Sequence, residues 1–306
     1  MAASSCSRGS GGLRPVLCLR QLRVELDPVV SLEGPSHAII TPNGQYIVSD
    51  TKANLLKVVS LDGTLIHSVV GHFDGPYGLA LSSEGLYIAD CRSNQLEIVN
   101  LELTNRRVLA KFRSPIAVAL DGEFAFVTEQ VNHTVAVLRL ATGIIEHRMG
   151  GEGSGDGELW CPYGIAARSD TLYIADSWNH RIARFTFSGK WLGAWGREGA
   201  SPGRFRSPYG VAVTSDALLV SEDTGKRLQL LSLADGAALW HGRPEHMLGP
   251  CENLRLVSAD ERRRLVVIAD AGRNCIYSLR VVDWLLRWQV VSFELHVREL
   301  TLAPLG

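Results

Sequence analysis

Long apolar runs are missing from this sequence. No stretch approaches the 18 or more residues of a membrane-crossing helix, and the apolar segment Pro15–Leu19 is cut short by Arg20 and Arg23, so neither a membrane span nor a secretory apolar region is expected. Close cysteine pairs are missing as well. Cys6, Cys18, Cys91, Cys161, Cys251 and Cys275 are scattered without a C-x-x-C spacing. That scatter argues against a zinc module and fits reduced thiols in a cytoplasmic protein. Charge of one sign is missing too: 31 Lys and Arg face 32 Asp and Glu, a formal net charge of −1. No global basic excess points to nucleic acid, and no DNA partner is expected. No G-x-S-x-G elbow occurs, and Gly150–Gly157, though rich in glycine, is acidic and lies between strands, where no helix N-terminus is on hand to bind phosphate. No cofactor is expected.

What is present is a repeat. Pro162-Tyr-Gly-Ile-Ala-Ala and Leu172-Tyr-Ile-Ala-Asp176 recur as Pro76-Tyr-Gly-Leu-Ala-Leu with Leu86-Tyr-Ile-Ala-Asp90, and as Pro208-Tyr-Gly-Val-Ala-Val with Leu218-Leu-Val-Ser-Glu222. Looser copies start at Pro35 and Pro115 and end at Asp50 and Glu129, and a last one ends at Asp270. Read with Pro250 opening the last copy, the prolines step by 41, 39, 47, 46 and 42 residues. From proline to acid the distance is 15, then 14 four times, then 20, which places an insertion near Ala259–Arg264 in the sixth copy. Six such units of strands and turns predict an all-β, six-bladed propeller. The repeats fall near 34–72, 73–111, 112–158, 159–204, 205–248 and 249–291, within one domain over 15–306. Residues 1–14, small and polar, read as a disordered tail. A transit-peptide reading also fits them, since the first acid is Glu25.

Pro-Tyr-Gly-Ile-Ala, Leu-Tyr-Ile-Ala-Asp, Asn179-His-Arg-Ile182 and Gly196–Phe205 together resemble the NHL repeat. The resemblance covers about Val16 to Val291, strongest in the second, fourth and fifth units. It implies blades of four antiparallel strands, like the propellers of TRIM-NHL proteins. The segment Arg23–Val30 precedes Pro35 as a fourth strand would, so an N-terminal strand is expected to close the ring by pairing with the last blade. The segment Phe293–Leu300, which alternates with period two, competes for that place.

Turns at Asn43-Gly44, Asp121-Gly122 and Ser169-Asp170 join first strands to second. Those at Asp62-Gly63, Thr142-Gly143, Ser188-Gly189 and Asp235-Gly236 join third to fourth. The loops entering each proline and following each acid therefore share the opposite, top face. On it Tyr77, Tyr163, Trp178, His180 and Tyr209 are candidate contacts for a protein or peptide, because Tyr and Trp most often anchor interfaces. His133 and His180 hold equivalent turn positions. Trp191, Trp195, Trp284 and Trp288 read as outer-strand residues. Lys111, Arg113, Arg204 and Arg206, interleaved with Phe112 and Phe205, are candidates for single-stranded RNA, the ligand of some NHL propellers. The acids Asp50, Asp90, Glu129, Asp176, Glu222 and Asp270 are expected to accept hydrogen bonds from the amides of the turns that follow them. A metal held by the six acids, as a propeller hydrolase or lyase would need, is the alternative.

Peptidylamidoglycolate lyase shares the propeller and places metal histidines directly after the blade proline. Here Ser36, Tyr77, Ile116, Tyr163, Tyr209 and Cys251 stand there, and His37 comes one residue late. Relatives that act as ubiquitin ligases carry a RING, and this chain has no RING spacing, so a ligase role would be that of an adaptor. The leading expectation is a non-catalytic propeller that recruits a protein through its top face, with RNA binding as the alternative.

Overall fold

The computed structural model describes residues 31–69, 73–100, 102–242 and 251–280, together with the backbone of two further strands, Leu19–Arg23 and Phe293–Val297. The described chain forms six sheets. Sheet 1 is built from Pro35–Ile40, Gln45–Asp50, Leu55–Ser60 and Leu65–Val69. Sheet 2 follows with Pro76–Leu81, Leu86–Asp90, Gln95–Val99 and Arg106–Lys111. Sheet 3 contains Pro115–Asp121, Phe124–Glu129, Thr134–Arg139 and Ile144–Gly150. Sheet 4 contains Pro162–Arg168, Thr171–Asp176, Arg181–Thr186 and Trp191–Trp195, and sheet 5 Pro208–Val213, Ala217–Glu222, Arg227–Ser232 and Ala238–Gly242. Sheet 6 starts with Leu254–Asp260, Leu265–Asp270 and Cys275–Arg280. Within each sheet, chain neighbours pair antiparallel in sequence order.

The fourth position of sheet 6 is taken by Phe293–Val297, and Leu19–Arg23 lies outside it as a fifth, parallel strand. The N-terminal strand therefore joins the last sheet, but beyond its fourth position. Residues 24–30, where the closing strand was expected, lie outside the described residues, as do residues 1–14, Pro250, Trp284 and Trp288.

Burial falls from the inside outward. The second strands are almost wholly buried, whereas the fourth strand of sheet 2, Arg106–Lys111, is mostly exposed. Apolar side chains of adjacent sheets interleave, so the core is a series of layers between blades rather than one central mass. Close approach of first strands sets the spacing. A Cβ on Gly164 would meet the Tyr209 carbonyl oxygen at 2.6 Å and the Gly210 Cα at 2.9 Å. The backbone of sheet 5 occupies the space that a side chain at 164 would need. First strands pack in series from sheet 1 to sheet 6, and that of sheet 6 lies against that of sheet 1. The seam between sheets 6 and 1 is sealed by Tyr46 Oη donating to Ser278 Oγ at 2.7 Å and Ser258 Oγ donating to the Ala38 carbonyl at 2.6 Å.

Candidate functional site

Pairing register aligns the six units. Pro35 faces Asp50, Pro76 faces Asp90, Pro115 faces Glu129, Pro162 faces Asp176, Pro208 faces Glu222, and Leu254 faces Asp270. In sheet 6 a leucine stands where the others have proline, four residues beyond Pro250. The residue that follows the blade position is therefore Arg255, not Cys251. The expected insertion shrinks to the two extra residues of the Asp260–Leu265 hairpin, because Leu254 to Asp270 spans sixteen residues instead of fourteen.

The six acids are fully buried, and each holds the top of its own blade. Each accepts the backbone N–H of the residue two before the blade position. Glu33 donates to Asp50, Asp74 to Asp90, Arg113 to Glu129, Trp160 to Asp176, Arg206 to Glu222 and Glu252 to Asp270, at 2.6–3.1 Å. This corrects the expected donor, which was the turn after each acid. Only Asp270 also takes amides from that turn, those of Gly272 and Arg273. Side-chain cations complete several of the sites: Lys57 on Asp50, Arg148 on Glu129, Arg181 on Asp176 and Arg227 on Glu222. Burial pushes the carboxyls of Asp90, Asp176 and Glu222 up, and hydrogen bonds to them oppose the shift. The acids do not converge on one another. Among the described residues, no three His, Cys, Asp or Glu side chains gather as a metal site would require.

The same entry loops sort the top-face candidates. The residue three before the blade position is buried in every unit: Leu32, Phe73, Phe112, Leu159, Phe205 and Cys251. Phe112 and Phe205 are thus plugs between blades and cannot stack bases. The next residue holds the acid with its amide and turns its side chain outward: Glu33, Asp74, Arg113, Trp160, Arg206 and Glu252 are all exposed. Acids occupy this ring on sheets 6, 1 and 2, and Arg-Trp-Arg occupies it on sheets 3, 4 and 5. Asp74 is paired with Arg92 at 2.8 Å. Among the described residues neither Arg113 nor Arg206 has an ion pair on its side chain. Lys111 is exposed at the end of its strand, and Arg204 is half-buried.

Trp178 sits in a short 3-10 turn, Ser177–Asn179, and is 57% exposed; Trp160 is 37% exposed. Their rings lie 5.6 Å apart at 50°, and the Trp178 amide donates to the Trp160 carbonyl. Val131, 61% exposed, lies on the adjoining turn of sheet 3. That turn is tied to the Trp160 loop by His133 Nδ1, which accepts the Cys161 N–H at 3.0 Å. The acidic glycine-rich loop is held beside the pair. Arg181 donates to the carbonyls of Ser154, Gly155 and Glu158, and Asn179 donates to Gly153, so Glu152, Asp156 and Glu158 remain exposed there. His180 is half-buried and acts as a clasp. Its Nδ1 accepts the Ser207 N–H at 3.0 Å.

Of the three tyrosines, Tyr209 is buried and Tyr77 and Tyr163 are half-buried. Tyr209 is only 2% exposed, stacked on Tyr163 at 4.2 Å and capped by the Arg255 guanidinium at 4.7 Å. Tyr77 reaches across from the opposite blade to meet the Tyr209 hydroxyl. Gln130 Nε2 donates to the Tyr163 hydroxyl at 2.6 Å. Burial pushes Tyr163 up to about 12 and moves Tyr77 and Tyr209 in the same direction. Together these groups meet across the centre of the ring. Sequence reasoning missed Trp160, Asp223 and Arg255. Trp160 shows in the sequence as the one aromatic at its repeat position.

Residues 159–185, which carry Trp160, Tyr163 and Trp178, match the family model of the NHL repeat. The chain contains an NHL repeat. The NHL match covers the first three strands of sheet 4, the blade around which the exposed aromatics gather. No curated protein sequence matches the chain. Solved structures resemble it in fold. A Bacteroides thetaiotaomicron protein of unknown function aligns with a TM-score of 0.63 at 16% identity, over 81% of this chain and 69% of the other. A catalytically inactive virginiamycin B lyase from Staphylococcus aureus, with quinupristin, aligns at 0.57 and 16%, over 85% and 87%. A chain of a nidogen/laminin complex aligns at 0.58 and 16%, over 80% and 95%. These likenesses reach the fold and go no further.

Proposed function

We propose that this propeller is a non-catalytic interaction module that binds a protein or peptide across the top of sheets 3 to 5. The observation that carries the reading is the Trp160–Trp178 pair, two exposed indoles side by side with Val131 on the next turn. Exposed aromatics in contact with each other and rimmed by polar groups are what interface hot spots consist of. The rim is mixed: Arg113 and Arg206 stand on the flanking blades, and Glu152, Asp156 and Glu158 on the loop of the same blade. Both signs suit a protein surface, whereas a nucleic-acid groove needs a predominantly basic one. A structural neighbour from a nidogen/laminin complex supports the reading by analogy alone, and an adaptor role in ubiquitin transfer would be one use of such a face. The enzyme alternative is weakened because all six acids are already engaged by their own blades.

Affinity capture from lysate with the full chain tests this. Partners that bind the unaltered protein after nuclease treatment and are lost from Trp160→Ala/Trp178→Ala support it. Each hot-spot truncation should cost about 2 kcal/mol or more, roughly 30-fold in affinity. Capture that disappears with RNase, or that survives the double substitution, would sink it.

A further inference from the structure

The channel mouth is built from two rings of six residues. The lower ring follows the blade positions: Ser36, Tyr77, Ile116, Tyr163, Tyr209 and Arg255. The upper ring follows the column acids: Thr51, Cys91, Gln130, Ser177, Asp223 and Ala271. Three upper-ring side chains, those of Thr51, Cys91 and Gln130, reach over to the start of the next blade. Thr51 Oγ1 donates to the Pro76 carbonyl at 2.6 Å, and Gln130 donates to the Tyr163 hydroxyl at 2.6 Å. Asp223 and Arg255 occupy the same relation between sheets 5 and 6, but their closest N···O separation is 3.7 Å. That is beyond hydrogen-bond length, so this contact is looser than those of Thr51 and Gln130.

These two are the only charged residues among the twelve. Both are about three-quarters buried, with side chains 24% and 29% exposed. The guanidinium rests on the Tyr209 ring. It carries five N–H donors in a fork that fits a carboxylate, and only the Tyr209 hydroxyl and the loose contact with Asp223 engage them within the protein. Among the described residues no hydrogen bond reaches the Asp223 carboxylate, although its backbone is tied down at both N–H and C=O. Burying a charge without hydrogen bonds is costly, and a structural ion pair would be expected to close. Tyr77 and Tyr163, both half-buried, supply aromatic surface beside the pair, and Gln130 donates to the Tyr163 hydroxyl.

We propose that the channel mouth binds a small zwitterion of the α-amino-acid class, its carboxylate on Arg255 and its ammonium on Asp223. A side chain on the ligand would lie against Tyr77 and Tyr163. A ligand with one charge would leave the other member of the pair unmatched, so both groups are needed. The inference uses none of the exposed tryptophans and stands apart from the partner-binding reading.

The test is thermal denaturation of the full chain with each of the twenty free amino acids, and with the N-acetyl and the C-terminal amide form of any that shifts Tm, followed by calorimetric titration. At least one free amino acid should raise Tm, and both blocked forms should bind tenfold or more weakly. Arg255→Gln and Asp223→Asn should each weaken the same ligand tenfold or more while the ligand-free far-UV spectrum is unchanged. Trp160→Ala/Trp178→Ala should bind it as the unaltered protein does. Should either substitution fail to fold, the blocked ligands still decide on the unaltered protein. No shift with any amino acid, equal affinity for the blocked forms, or retained affinity in both charge variants would overturn the assignment.

Discussion

At the scale of single residues, the six acids illustrate how a repeated carboxylate is a device of the fold. Each accepts a main-chain N–H that would otherwise be buried unpaired, at a cost of about 1–3 kcal/mol. His37 is the exception among repeat residues. It stands where sheets 2, 4 and 5 have glycine, is 8% exposed, and its Nδ1 accepts the Leu79 N–H at 3.0 Å. Among the described residues its Nε2 is buried with no partner at normal hydrogen-bond geometry, and the Val257 backbone lies nearby. Burial pushes it from 6.5 down to about 4. The folded protein therefore holds the neutral ring where the unfolded chain is already protonated. Stability from this residue is full above pH 6.5, declines as pH falls toward 4, and changes no further below that. The total loss is about 3 kcal/mol. In chemical denaturation at pH 7 and pH 4.5, His37→Asn, which keeps an acceptor for Leu79, should lose less stability between the two values than the unaltered protein does. An identical loss in both would show that His37 is not the group responsible.

At the scale of elements, the loop entering each blade is the unit that repeats most faithfully. Three successive residues divide the work: a buried plug, an outward side chain whose amide holds the acid, and, in sheets 2 to 5, a residue clasped by the preceding blade. The clasp uses a left-handed turn residue. Asn54, Asn94, His133 and His180 all have φ near 55–60°. Their side-chain acceptors take the N–H groups of Gly75, Ser114, Cys161 and Ser207. Asparagine and histidine are therefore interchangeable here in chemistry. His180→Ala should cost about 1–2 kcal/mol in denaturant unfolding, and His180→Asn should restore most of it. Equal losses would mean that the clasp is not what the histidine provides. The adjacent pair separates fold from function: Phe205→Ala should cost about 3–5 kcal/mol by opening a cavity. Arg206→Ala should leave stability within about 0.5 kcal/mol and act only on binding.

At the scale of the whole molecule, the ring alternates. Ser49, Thr128 and Ser221 precede the acids of sheets 1, 3 and 5, and each donates across to the next blade, to the carbonyls of Tyr77, Tyr163 and Arg255 at 2.6–2.7 Å. Sheets 2, 4 and 6 have Ala89, Ala175 and Ala269 at that position. The alternation is written in the phrases Val-Ser-Asp, Ile-Ala-Asp and Val-Thr-Glu, but its partner is one blade away and invisible in them. The sequence by itself determined the six units, the strand order within each, the side of the disc on which the loops gather, and a structural role for the acids. Those properties are set within a unit of about forty residues, by period-two burial and turn residues whose partners are near in the chain. It misplaced the sixth unit by four residues, because a leucine replaces the proline used as the marker, and it read the tyrosines as surface groups. Only the tertiary structure decided which side chains meet at the centre. Tyr77 and Tyr209 are 132 residues apart yet share a hydrogen bond, and Arg255 caps a ring from the preceding blade. Such meetings depend on how far each blade leans toward the axis, and that is set by packing between sheets and encoded in no single repeat.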